Sequence, residues 1–168
     1  MMSRRSLGLG AVGAAAAGLG LSRLFGSETT EAKESKVFPV NLSEDDWKKR
    51  LDKEQYYVLR EHGTERPGTS PLNQEKRKGT FVCAGCDTPL FTADTKYESG
   101  TGWPSFFRPI DGAVGTKEDN TFFMKRTEVH CATCGGHLGH VFDDGPKPTG
   151  LRYCMNGVAM KFKPADAA

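Results

Sequence analysis

The chain has 168 residues, 37% hydrophobic and 26% charged, with a formal net charge of +2. That length suits one compact domain with a tail, and the composition is ordinary for a globular protein. The charge excludes a nucleic-acid-binding face: Arg4, Arg5 and Arg23 stand in an acid-free leader, so the remainder is close to about −1.

Residues Ser3 to Leu7 include the pair Arg4 and Arg5, and an uncharged run of Leu, Gly, Ala and Val extends from Leu7 to Leu21. A basic start before a short apolar stretch makes an export signal. The run is shorter than the ~17–25 residues of a spanning helix. The arginine pair resembles a twin-arginine signal, with Leu7 and Leu9 where Phe and Lys are usual. The sequence therefore divides into an export signal at 1–26, a solvated linker at 27–42 and a folded domain at 43–165. Thr30, Glu31 and Ala32 offer a cleavage point. Left uncleaved, the leader would serve as a membrane anchor.

Ser43 before Glu44, Asp45 and Asp46 reads as a helix N-cap with acids in the first turn. Trp47 and Leu51 then share one helix face. A second short helix runs from near Lys53 to Glu61 and stops at Gly63. From Gly79 onward Gly, Pro, aromatic and β-branched residues dominate. Short apolar runs at Thr80–Val82, Thr121–Met124 and Val158–Phe162 are strand signals. The order is helices first, then a mostly antiparallel β domain.

Four of the five cysteines form two C-x-x-C knuckles, Cys83 with Cys86 and Cys131 with Cys134. Four thiolates on two tight turns are what a closed, tetrahedral structural zinc site requires, one ion per chain. Gly85 and Gly135 suit such turns. The 44 residues between the knuckles exceed zinc-ribbon spacing, so a β insert lies between them. A pair of redox-active disulfides is the alternative reading.

Cys154 stands alone. On a strand, Arg152, Cys154 and Asn156 point to one side. A nearby cation favours the nucleophilic thiolate, although a lone cysteine is as often a core residue. His137 and His140 follow the second knuckle in a glycine-rich turn. Two close imidazoles are proton donors near neutral pH, or two unrelated core and surface residues. Ser99 to Ser105 places Trp103 on a stiff loop between Gly102 and Pro104. Such an indole suits a small apolar group on sulfur, or plugs a β core.

Together these segments resemble the B-type methionine-R-sulfoxide reductases over roughly residues 43–163. The likeness rests on Gly63 to Pro67, both knuckles, Ser99 to Phe106, Gly136 to Phe142, Asp144 to Pro146 and Arg152 to Asn156. The resemblance implies two antiparallel sheets with short N-terminal helices. It also implies Cys154 as nucleophile, and His137, His140 and Asn156 holding or protonating the sulfoxide oxygen. Trp103 would pack on the substrate methyl, with Arg152 and Asp144 as supporting charges. Many members carry a resolving cysteine where this chain has Thr101.

The expected chemistry is thiolate attack on the sulfoxide sulfur, release of methionine and a sulfenic acid on Cys154. With no further free thiol, an external donor, thioredoxin-like or a small thiol, would recycle the enzyme. Oxidised proteins or peptides would be its substrates and a monomer its working form. The rival readings are a non-catalytic zinc-ribbon interaction module and a C-x-x-C disulfide oxidoreductase.

Overall fold

The computed structural model describes residues 37–121 and 124–165. The expected export signal at 1–26, and residues 27–36 of the expected linker, lie outside them. Among the described residues no helix is long and apolar enough to cross a membrane. Residues 37–42 lie along the domain: Val40 N–H donates to the Thr133 carbonyl at 2.8 Å, and Val40 and Leu42 pack on the core.

Two short helices open the domain, as expected. Ser43 accepts the Asp46 N–H and caps α1 (Glu44–Arg50), which has three acids in its first turn and three bases in its last, matching the helix dipole. Trp47 and Leu51 are both buried. α2 (Lys53–Glu61) opens with a reciprocal capping box between Asp52 and Gln55. It ends on His62, which takes the left-handed conformation at φ 57°. The stop expected at Gly63 is therefore made one residue earlier, by a histidine.

The strands are β1 (Gly79–Cys83), β2 (Pro89–Thr92), β3 (Lys96–Tyr97), β4 (Ser105–Phe106), β5 (Val114–Asp119), β6 (Arg126–Cys131), β7 (His137–Phe142), β8 (Arg152–Met155) and β9 (Met160–Pro164). They form a three-stranded sheet, β2-β1-β9, and a six-stranded sheet, β3-β4-β8-β7-β6-β5. Every pairing is antiparallel. This is the mainly β class with two sheets and short N-terminal helices that the sequence implied.

The sheets are joined by aromatic rings. Phe106, on the larger sheet, stacks on Phe91 of the smaller at 4.2 Å and meets Phe81 edge-on at 4.9 Å. All three are fully buried, worth ~1.5–3 kcal/mol each. Tyr153 and Val141, beside Phe106 in the strand register, pack against the same core. The neighbouring cross-strand row is polar. Tyr97 faces Ser105, Ser105 faces Cys154, Cys154 faces His140, His140 faces Glu128 and Glu128 faces Lys117. Since directly opposed residues share a face, one side of the large sheet is core and the other carries this polar row.

Two expected strands need correction. Thr121–Met124 is not a strand at either end. Thr121 donates its N–H and hydroxyl to Asp119 Oδ1, which turns the chain, and Met124 is 54% exposed; Phe122 and Phe123 lie outside the described residues. The run Val158–Phe162 becomes a strand only from Met160. Gly157 to Ala159 form a 3-10 turn, because the Glu65 carboxylate takes the N–H groups of Gly157 and Val158 from any partner strand.

Candidate functional site

The two knuckles fold alike. In each, the first cysteine's N–H donates to the carbonyl five residues on, Thr88 or Gly136. Its own carbonyl accepts from the residue four on, Asp87 or Gly135, at 2.9 Å in every case. That fourth residue is left-handed, at φ 59° for Asp87 and 69° for Gly135. Gly135 serves its turn as expected. At the first knuckle the special conformation falls on Asp87 and not on Gly85.

These turns bring four sulfurs together. Cys83 Sγ lies 3.7 Å from Cys134 Sγ, and Cys86 Sγ lies 3.6 Å from Cys131 Sγ. All four are within 4.8 Å of one another. A tetrahedral ion with metal–sulfur bonds of about 2.3 Å needs sulfurs roughly 3.8 Å apart, so the cluster fits such an ion. A disulfide needs about 2.05 Å, and all five cysteines are free thiols. Contact with Cys131, Cys134 and Cys86 pushes the Cys83 thiol far above its ordinary range, while contact with Cys131 and Cys134 holds Cys86 far below it. A cation at the centre would hold every sulfur as thiolate.

Cys154 is half-buried at the middle of the polar row, between Ser105 and His140. Thr101 Oγ1 stands 3.8 Å from its sulfur. Ser99 binds Thr101 at 2.8 Å and Ser105 at 2.7 Å, which stiffens the loop over the thiol. Arg152, on the same face, forms a two-pronged pair with the Asp144 carboxylate, both contacts 2.8 Å. Its guanidinium also lies 4.4 Å over the Phe142 ring. The pairing holds Asp144 below its ordinary range and Arg152 above it. Tyr97 reaches the same neighbourhood; its hydroxyl is buried without a partner among the described residues, and burial raises its pKa.

His137 and His140 have ring centroids 5.4 Å apart. Residues three apart on a regular strand would point to opposite faces. Here the pairing slips: one step on β6, from Val129 to His130, is matched by two on β7, from Gly139 to His137, so β7 carries an extra residue, Leu138, between them. Gly139 also lets β8 come close: a Cβ there would lie 2.1 Å from the Cys154 carbonyl. Each imidazole is held by a carboxylate. His137 Nδ1 meets Glu128 Oε1 at 2.9 Å, and His140 Nε2 meets Asp119 Oδ2 at 2.8 Å. His137 Nε2 is buried with no partner among the described residues. Burial, against the opposing pull of Asp119, keeps His140 below its ordinary pKa. Burial raises Glu128, yet His137, His62 and Lys117 outweigh it and hold the carboxylate well below its usual range.

Asn156 is buried, and its amide is turned to backbone. Oδ1 accepts the Glu65 N–H at 2.9 Å, and Nδ2 donates to the Leu138 carbonyl at 3.0 Å, which leaves one amide hydrogen for the site. Glu65 links this end of β8 to the indole, because Trp103 Nε1 donates to the Glu65 carbonyl at 3.2 Å. The Trp103 loop is pinned again where Gly68 N–H donates to the Gly102 carbonyl at 2.7 Å. At Gly102, φ 92°, a Cβ would press on Pro67 at 2.8 Å. The structure thus gathers Cys154, His137, His140, Asn156, Trp103, Arg152 and Asp144 onto β7, β8 and the loops beside them.

Sequence reasoning missed the carboxylates that hold these groups. Glu128 is 3% exposed, and its one sequence signal is the alternation Arg126, Glu128, His130 on a strand that otherwise buries apolar residues. Asp119 and Glu65 carry no local signal.

The sequence model of one protein family, described as SelR domain, matches residues 51–164. This chain belongs to the SelR domain family. Relatives of its SelR domain include a peptide methionine sulfoxide reductase MsrB of Agrobacterium fabrum, 59% identical over 126 residues, covering 74% of this chain and 93% of that protein. The protein of the same name from Leptospira interrogans is 56% identical, covering 75% of this chain and 97% of its own. The chloroplastic peptide methionine sulfoxide reductase B1 of Arabidopsis thaliana is 57% identical over 73% of this chain and 61% of its own length.

Proposed function

We propose that this SelR domain reduces methionine sulfoxide in oxidised peptides and proteins, with preference for the R epimer at sulfur. The observation that carries the reading is the setting of Cys154. It is the one thiol outside the four-sulfur cluster, and it lies in register with His140 beneath the loop that bears Trp103.

The Cys154 thiolate attacks the sulfoxide sulfur. The oxygen takes a proton from His137 or His140 and ends on the cysteine sulfur, so methionine leaves and Cys154 becomes a sulfenic acid. One external thiol condenses with it, releasing water and forming a mixed disulfide. A second thiol restores Cys154 and leaves as the oxidised donor. Arg152 supplies positive charge on the face of the thiol, and Trp103 offers an apolar wall to the substrate methyl. The four-sulfur cluster holds zinc, which stabilises the fold and takes no part in these steps. The donor is a thioredoxin-like protein or a small thiol, and the enzyme works as a monomer. The leader directs export by a twin-arginine route, so that the four thiols load metal in the reducing cytoplasm before crossing.

Purified protein assayed on each sulfoxide epimer, with dithiothreitol and then with thioredoxin, tests the activity. Cys154→Ser should abolish turnover while metal content and fold persist; a variant that still turns over overturns the assignment. Cell fractionation tests export, and native protein found in the cytoplasm with its leader intact refutes it.

A further inference from the structure

The carboxylate that holds His137 is shared with a second imidazole. His62, at the left-handed end of α2, brings its Nδ1 to Glu128 Oε1 at 3.2 Å, and His137 Nδ1 reaches the same oxygen at 2.9 Å. Lys117 holds the other oxygen, Oε2, at 2.9 Å, so that Oε1 alone faces the two rings. The rings are tilted by 51° with centroids 5.4 Å apart, and the three donor atoms lie within 4.8 Å of one another. We propose that His62, Glu128 and His137 form a second divalent-metal site, separate from the cysteine cluster, that takes a borderline ion such as Zn2+ or Co2+.

Two imidazole nitrogens and one carboxylate oxygen are donors that such ions accept. Bonds of 2.0–2.2 Å around a tetrahedral ion separate donors by roughly 3.4 Å. The two contacts to Oε1, at 3.2 and 2.9 Å, need only a few tenths of an ångström of opening, and the two imidazole nitrogens lie within 4.8 Å of each other. Glu128 and His137 are buried, while the His62 side chain is 52% exposed. That exposure gives the ion an entry path and leaves its fourth position to water. Each imidazole ligates only when neutral, with Nδ1 free of its proton, so protonation of the rings competes with the ion and affinity rises with pH. The Lys117 ammonium opposes a second cation nearby, which makes this site weaker than the four-thiolate cluster and reversible.

Occupancy has a consequence for the reaction. A metal on His137 Nδ1 excludes a proton from that nitrogen, so the ring cannot become an imidazolium and its Nε2 loses strength as a proton donor. The ion thereby inhibits reduction without touching Cys154. This consequence rests on the proton-donor role given to His137 above; the binding does not.

The test uses the full chain with zinc in the cysteine cluster and Cys154→Ser to remove the remaining free thiol, titrated with Co2+. One cobalt should bind beyond the zinc, with ligand-field bands but no sulfur-to-cobalt charge-transfer band. His62→Asn should weaken it at least about tenfold with zinc content unchanged, since Asn tolerates the left-handed cap but brings no imidazole. No added cobalt, a charge-transfer band, or equal affinity in His62→Asn would overturn the site. Single-turnover reduction without thiol donor, with Cys154 intact, then reads the consequence. Cobalt should suppress it in the parent chain and spare it in His62→Asn. Cobalt that binds as described yet leaves turnover unchanged overturns the inhibition and the His137 assignment, and leaves the metal site standing.

Discussion

The Thr101 hydroxyl stands 3.8 Å from the Cys154 sulfur, where a second thiol would meet a sulfenic acid. With threonine there, one turnover without reductant should give one methionine per enzyme and a dimedone-reactive Cys154. Thr101→Cys should convert that product to a 101–154 disulfide, because the side chain already reaches the thiol. Peptide mapping of the wild type checks both statements. Cys154 found bonded to a knuckle cysteine would show that the cluster is labile.

Metal removal should cost the fold. Cys131→Ser or Cys134→Ser leaves three sulfurs around the ion, and structural zinc contributes on the order of 10 kcal/mol in small domains. Losing even part of that should lower the melting temperature by about 10 °C or more. Metal analysis beside calorimetry decides it, and a wild type without zinc would defeat the reading.

Asn156 ties Leu138 to Glu65, and its removal should loosen both. Asn156→Ala leaves the Glu65 N–H unpaired, at about 1–3 kcal/mol, and takes from the Leu138 carbonyl its second donor, since the backbone N–H of residue 156 still reaches that oxygen at 2.8 Å. Asn156→Asp keeps the acceptor for Glu65 but cannot donate to Leu138 when ionised, and should be worse. Denaturant melts of the two variants give the order, and a stable, fully active Asn156→Ala would refute the clamp.

His140 gives stability a pH slope. Its folded pKa lies below the ordinary value, so the unfolded chain takes a proton near pH ~6.5 that the folded chain resists. Its contribution is fully present above that pH and declines as pH falls toward the folded value. The melting temperature of wild type should therefore drop more steeply below pH ~6.5 than that of His140→Gln. Parallel slopes would contradict this.

What the sequence disclosed was local. The Ser43 cap, the helix from Lys53 to Glu61 and the two knuckles each depend on residues a few positions apart. Trp103, His137, His140, Arg152 and Asn156 stand out locally as candidates, while their roles, and Asp144, come from family resemblance. What stayed hidden was set by register. Glu128 reaches His137 across a hairpin, Asp119 reaches His140 across two strands, and Glu65 meets Gly157 from 92 residues away. No local period encodes such pairs. The switch to apolar residues after Gly157 marks a break or bulge in the strand, but the 3-10 turn itself is made by a distant carboxylate.

Adjacent residues on a strand face opposite ways, so sliding β8 by one position would exchange Cys154 for Tyr153 or Met155 and turn the sulfur into the aromatic core. None of the four clustered cysteines belongs to β8. Its alignment depends on Gly139, on the bond from Met155 N–H to the Pro104 carbonyl at 3.0 Å, and on the Asn156 amide. Chemical competence here is thus a matter of strand phase. A molecule can keep its metal, its helices and most of its core and still be catalytically silent, because the strand that carries the sulfur is out of step with its neighbours.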